Sequence, residues 1–157
     1  MFKYILILLC LKFHNTTMWF QKEIKLTNYS RGCHYITDTV VKNLPELKQY
    51  KIGILHLFMQ HTSASLTLNE NYDSDVKVDM EMILNTIIPE NLKYKHSCEG
   101  PDDMPAHGKH ALLGGHSVSI PITNGTLNLG TWQGIWFCEH RNNKSNRKVI
   151  ATIQGTS

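Results

Sequence analysis

The sequence predicts an α+β fold, β-rich, with its strands in antiparallel arrangement. Three observations carry that expectation. Short alternating or apolar runs recur, separated by turn formers. One stretch, Val76, Met80, Ile83 and Ile87, has a sustained helical period. The elements also come as strands, helix, strands, long helix, loop, short helix and strands. That order is not the strand–helix alternation of a doubly wound sheet.

Each element has a local reason. Trp19 to Leu26 alternates, as a half-buried strand does, and Cys33 to Ile36 reads as a short second strand. Thr37 and Asp38 offer a helix N-cap ahead of Val40, Val41, Leu44 and Leu47, a stripe that Pro45 interrupts. Ile52 to Gln60 is an almost continuous apolar run, expected of a strand buried on both faces. A strand at Ser65 to Asn69 follows. Asp73 or Ser74 can cap the long helix, and Pro89 ends it. Residues Tyr94 to Ala106 are polar and turn-rich, and a short helix is expected from His107 to Leu113, stopped by Gly114 and Gly115. Strands then follow at Ser117 to Ile122, Leu127 to Leu129, Trp132 to Glu139 and Lys148 to Gln154. Asn124-Gly125 is a hairpin turn signal between the first two. Trp132, Trp136 and Phe137 are expected in the core.

The 157 residues suit one domain, and 41% apolar with 18% charged residues excludes a disordered chain. Net charge is +3, and +1 without Lys3 and Lys12. There is no basic stripe, so no nucleic-acid partner is expected. The densest cluster, Arg141 to Lys148, reads as a solvated loop. Cys10, Cys33, Cys98 and Cys138 form no C-x-x-C pair, which suits thiols in a reducing compartment. Residues 1–17 read as an N-terminal extension ahead of a single domain at 18–157. The apolar run Tyr4 to Leu11 is far short of the roughly 20 residues of a spanning helix, so no integral membrane segment is expected. A cytoplasmic location is expected, or a secretory or organellar one if the extension is a targeting segment.

Nine histidines without a tract is a high count. His61 follows a strand in HTSAS, and His96 and His107 flank the polar loop. His107 and His110 share a face if their turn is helical, and such a pair plus a distant His can hold a zinc-like ion. Asp102 and Asp103 lie between two prolines, as a general base, metal ligand or partner to a ligating histidine. Glu139 ends an apolar strand and is a candidate acid or ligand, against a strand-end salt bridge. Neither G-x-x-x-x-G-K-[ST] nor G-x-S-x-G occurs, so no phosphate loop or hydrolase elbow is present.

Four stretches resemble one family: MWFQKEIKLTNYSRGCHYITD, ILHLFMQHTSASLTLNENYDSDVKVDME, EGPDDMPAHGKHALLG and LNLGTWQGIWFCEHR. They are similar to the YjbQ-like family, also called the secondary thiamine-phosphate synthase family, from Met18 to Ser157. The resemblance implies a β-sandwich-like domain with two to three helices, assembled as a homotrimer. It implies His61, His96 and His107 as metal ligands, for a divalent ion, Zn or Mg. Asp102, Glu139 and Arg141 are the implied catalytic positions, and Asn69, Gln133 and Lys109 the substrate-binding ones. Bacterial members begin near the position of Met18. The chain departs from the pattern in AHGKHALLGGH. Gly108 replaces a branched apolar residue, which should loosen the helix by about 1 kcal/mol, and His110 and His116 are extra.

The implied reaction joins a hydroxymethylpyrimidine diphosphate to a thiazole phosphate with release of pyrophosphate. Lys109 and Arg141 are expected to hold phosphates. The alternatives are a metal-dependent hydrolase or lyase, and a non-catalytic trimer that binds a small ligand.

Overall fold

The computed structural model describes residues 17–157. The readings made of the N-terminal extension, its signal-like run included, lie almost wholly outside the described residues. Eight strands and three α-helices follow one another as β1 (Met18–Tyr29), β2 (Gly32–Tyr35), α1 (Thr37–Asn43), β3 (Ile52–Met59), β4 (Ala64–Glu70), α2 (Asp75–Ile87), α3 (Asp103–Leu112), β5 (Ser117–Thr123), β6 (Thr126–Leu127), β7 (Gln133–Glu139) and β8 (Ser145–Thr156). A 3-10 turn, Pro45–Gln49, follows α1 because Pro45 cannot continue the α-helical hydrogen-bond ladder.

The strands form two antiparallel sheets, a five-stranded one in the order β1-β8-β3-β5-β6 and a three-stranded one in the order β2-β7-β4. Between them lies the main core. Ile24, Leu26, Leu55, Leu57, Met59, Ile120 and Ile153 from the large sheet face Leu66, Ile135 and Phe137 from the small one, and Val40, Leu44 and Leu47 close one end. The small sheet's other face carries Cys33, Trp136 and Cys138, packed against Val76 and Met80 of α2 and against Leu113. The architecture is therefore three layers: helices, three strands, five strands.

Four expectations are corrected in detail. The apolar run of β3 is buried on one face only. Leu55, Leu57 and Met59 point inward, while Ile52 and Ile54 are more than half exposed on the outer face. The buried line of α2 is Val76, Met80 and Leu84, which leaves Ile83 and Ile87 in solvent. Trp136 and Phe137 fill the cores, but Trp132 is 57% exposed, edge-on to Tyr72. Finally, α3 begins four residues before the expected position, at Asp103. Pro105 is no obstacle there, because N–H groups of a helix's first turn have no intrahelical partner to lose. The expected hairpin turn is present, with Asn124 and Gly125 both at positive φ (51° and 77°).

Candidate functional site

One end of the small sheet gathers the polar side chains. β4 begins at Ala64 opposite Glu139, where β7 ends, so His61, Thr62 and Ser63 enter the sheet where His140 and Arg141 leave it. The N-terminus of α3 packs against the same spot. Arg141 fastens it: Nε donates to Asp102 Oδ2 at 3.0 Å, Nη2 donates to the Glu99 carbonyl at 2.8 Å, and Nη1 donates to Asp103 Oδ1. The Asn142 N–H also donates to Asp102 Oδ2, at 2.8 Å. Burial works to raise the Asp102 pKa, but the Asn142 N–H and the Arg141 charge outweigh it and hold the carboxyl below its usual range.

Asp103 and His107 lie four residues apart, one above the other on α3. His96 comes from the preceding loop. Their ligand atoms all fall within 4.8 Å of one another. His107 Nδ1 donates to the Thr62 carbonyl at 2.9 Å, which fixes the tautomer and leaves a lone pair on Nε2, 3.5 Å from Asp103 Oδ1. Asp103 is 1% exposed. Its Oδ2 has no hydrogen-bond partner among the described residues, although His96 Nε2 approaches to 2.8 Å. The two imidazole centroids are 5.3 Å apart. That is close to the spacing of two rings sharing one tetrahedral ion with metal–nitrogen bonds of about 2.0 Å. A buried carboxylate with one imidazole nitrogen close to each of its oxygens fits a divalent ion.

Beside this cluster is a basic cavity of about 230 Å³, lined among others by His61, Arg141, Lys144, Ser145 and Arg147. Arg147 was read as part of a solvated loop. In fact β8 starts at Ser145, and Arg147 points inward in phase with Val149, Ala151 and Ile153. Its Nε and Nη2 donate to the two oxygens of Glu139 at 2.7 and 2.8 Å. The remaining nitrogen, Nη1, lies 2.6 Å from His61 Nε2. Glu139 is fully buried, and also accepts from the Arg141 N–H at 3.0 Å and from the Ser145 hydroxyl. Burial opposes its ionisation, but these four donors win and hold its pKa below the usual carboxylate value.

The implied site residues are thus only partly brought together. His96 and His107 meet, with Asp103 as the third candidate ligand. His61 lies outside their ligand cluster, with its Nε2 2.6 Å from Arg147 Nη1. Glu139 and Arg141 direct their side-chain hydrogen bonds to neighbouring residues, Glu139 to Arg147 and Ser145, and Arg141 to Asp102, Asp103 and the Glu99 carbonyl. Asn69 and Gln133 sit at the other end of β4 and β7, where they pair with Gly134 and Glu70 respectively. Six residues of strand, roughly 20 Å, separate Gln133 from Glu139. Lys109 projects from the opposite side of α3 and is fully buried, with Nζ 2.5 Å from Asn85 Oδ1 and 3.9 Å from Glu81 Oε1. The extra histidines line a larger cleft with Phe58 that shares His61 with the basic cavity, and His110 Nδ1 donates to the Ala64 carbonyl at 2.7 Å.

The fold and the site define a small three-layered β-sandwich protein with a histidine–aspartate cluster and a basic cavity at one sheet end. The family model described as "UPF0047 protein YjbQ-like" matches residues 22–156, and the chain belongs to that family. It is 49% identical over 138 residues to the UPF0047 protein YjbQ of Escherichia coli O157:H7, covering 88% of this chain and 99% of that protein. Among solved structures, an uncharacterised conserved protein of the YjbQ/UPF0047 family from Clostridium acetobutylicum superposes with a TM-score of 0.74 at 38% identity, over 84% of this chain and 98% of that one. A protein of unknown function from Sulfolobus solfataricus shares the fold, with a TM-score of 0.79 at 24% identity over 89% and 99% of the two chains.

Proposed function

We propose that this chain is an enzyme that holds one divalent metal ion through His96, Asp103 and His107 and acts on a small phosphorylated substrate. The observation that carries the reading is the convergence on buried Asp103: its Oδ2 meets only His96 Nε2, at 2.8 Å, and its Oδ1 lies 3.5 Å from the His107 nitrogen that the Thr62 contact leaves with a lone pair. Water-excluded carboxylates are rarely left so without a cation to meet them. A bound divalent ion supplies Lewis-acid polarisation of a phosphoryl or carbonyl oxygen.

The chain's own residues supply the rest. Thr62 orients His107, and Arg141 occupies the other oxygen of Asp103, so that one oxygen stays available. Glu139 orients Arg147 through two bonds and leaves one guanidinium nitrogen facing the basic cavity. His61 Nδ1 accepts from the Ser63 N–H at 2.9 Å, which puts the ring proton on Nε2. Burial first, and the Arg147 charge second, lower the His61 pKa, so the ring is neutral near pH 7. Its Nε2–H then faces an Arg147 N–H across 2.6 Å, donor against donor. A phosphate oxygen accepting from both relieves that conflict, with Lys144 at the rim adding charge.

Pyrophosphate-releasing transfer, the thiamine-phosphate synthase reaction, is the specific case within this reading, and hydrolysis or elimination of a phosphorylated substrate would use the same groups. A homotrimer belongs to the same proposal, because the outer face of β3 leaves Ile52, Ile54 and Phe58 uncovered. The test is metal content per chain by elemental mass spectrometry, followed by calorimetry with inorganic phosphate. One ion per chain is expected, with phosphate binding that Arg147→Ala abolishes. Full metal content in both Asp103→Asn and His107→Ala chains would sink the assignment. Light scattering checks the trimer, and a monomeric mass would remove it.

A further inference from the structure

The helix-facing side of the three-stranded sheet holds a chemical pair that the site described above does not use. Cys33 of β2 and Cys138 of β7 are directly opposed in the antiparallel register, and their sulfurs lie 2.9 Å apart. Residues opposed in this way have side chains on the same face of the sheet, with β-carbons within about 4.5–5.5 Å. Closing a bond between these sulfurs therefore asks for a small side-chain adjustment and no strand movement.

The two thiols are not equivalent. Cys138 is 1% exposed, sealed beneath Val76, Met80 and Leu113. Cys33 is 8% exposed and opens into a cleft of about 420 Å³, lined by Gly32, His34, Lys77, Val78 and Glu81. A small solute in that cleft meets Cys33 first. The Cys138 S–H donates to the Cys33 sulfur, and that bond, with burial, keeps the Cys138 thiol protonated. Cys33 is then the attacking sulfur and Cys138 the resolving one.

We propose that Cys33 and Cys138 form a reversible two-electron redox site, oxidised by hydrogen peroxide that reaches Cys33 through the α2 cleft. The Cys33 thiolate attacks one peroxide oxygen. An S–O bond forms, the O–O bond breaks, and the departing hydroxide takes a proton to become water. The Cys138 sulfur then attacks the Cys33 sulfenic acid. The S–S bond forms, the S–O bond breaks, and the hydroxyl leaves as water with the Cys138 proton. Two thiols and one peroxide become one disulfide and two waters, and an external dithiol reverses the change.

The product ties β2 to β7 one residue before Glu139 and two residues beyond Arg31, so it clamps the strand pair that flanks both polar clusters. The experiment treats the full chain carrying Cys10→Ser and Cys98→Ser, which leaves Cys33 and Cys138 as its thiols, with a modest excess of peroxide. Non-reducing digestion and mass spectrometry should show one crosslinked peptide pair, Cys33 to Cys138, lighter than its parts by two hydrogen atoms and restored by dithiothreitol. Adding Cys33→Ser should leave Cys138 unmodified under the same dose. Sulfinic acid on Cys33 with Cys138 still a thiol would overturn the proposal. So would two unmodified thiols after Cys33 in the unfolded chain has reacted fully.

Discussion

Helix α3 separates two buried polar clusters that look alike in composition and differ in kind. On one side Asp103 and His107 meet His96, with Arg141 holding Asp103 from behind. On the other, Lys109 meets Asn85 and Glu81, and Arg31 joins them by donating to Glu81 at 2.8 Å, to Asn85 at 2.5 Å and to Glu90. The second cluster is close to charge-balanced, with two cations against two carboxylates, although Glu81 Oε2 lacks a partner. The first brings a carboxylate oxygen and two imidazole nitrogens within 4.8 Å of one another, the arrangement that the proposed cation would use. Asn142 links the two, its N–H on Asp102 and its side-chain oxygen on Arg31 at 2.5 Å.

Acid should damage the balanced side first. His140 lies against it, 1% exposed, with Nε2 bonded to Ser65. Burial, then the Lys109 charge, lower its pKa from 6.5 to about 3. The unfolded chain therefore binds this proton where the folded chain does not, and stability falls as pH drops from about 6.5 toward 3, by up to about 4 kcal/mol. Glu139 and Asp102, held below their usual values, add a further loss below about pH 4.5. Urea midpoints measured across pH 7 to 4 should fall steadily, and the slope should shrink in a His140→Asn chain. A flat midpoint contradicts the buried neutral ring.

Next in size, Lys109→Ala should cost about 3 kcal/mol, because it empties a buried side-chain position and leaves two half-buried carboxylates beside a single arginine. Lys109→Met should recover only the packing part of that loss, because it refills the volume and leaves the carboxylates short of a cation. Metal content should be unchanged in both. A loss of metal without a loss of stability would return Lys109 to the site.

On the other side of α3, His107→Ala should weaken metal binding by roughly 100-fold or more, while the metal-free chain unfolds within about 1 kcal/mol of the parent. Metal titration and urea unfolding of the same preparation separate the two effects. Smallest of all is Gly108→Ala. Helix propensity favours alanine by about 1 kcal/mol. However, a β-carbon at this position would lie 2.9 Å from Ile88 Cδ1, at the end of a side chain that can shift. The two effects should nearly cancel, and a stabilisation of a full kcal/mol would show that Ile88 moves aside freely.

The strands and the long helix were legible because alternation and the 3.6-residue period are local signals. Where one face of an element stays uncovered, as on β3 and α2, apolar content misled, since it cannot report what lies opposite. Arg147 was missed because SNRK reads as a loop, although its spacing of two from Val149 and four from Ala151 already put it in phase with the core. Lys109 carried a similar signal. It lies two residues from His107, and positions two apart on a helix face away from each other. Asn69 and Gln133 could not be placed without the register that sends them to the far sheet end. The Arg147–Glu139–His61 link joins β8, β7 and the segment after β3, and no spacing along the chain announces it.

β8 lies between β1 and β3, which puts the last described strand inside the larger sheet and the first at its edge. On the ribosome that order has a cost in time. At roughly 5–20 residues per second, β1 waits many seconds for its partner strand β8 to be made. Until then β1 and β3 each expose an unpaired edge beside an apolar face. A chaperone that shields extended apolar segments during synthesis would act on this chain chiefly in that interval, before Thr156 emerges.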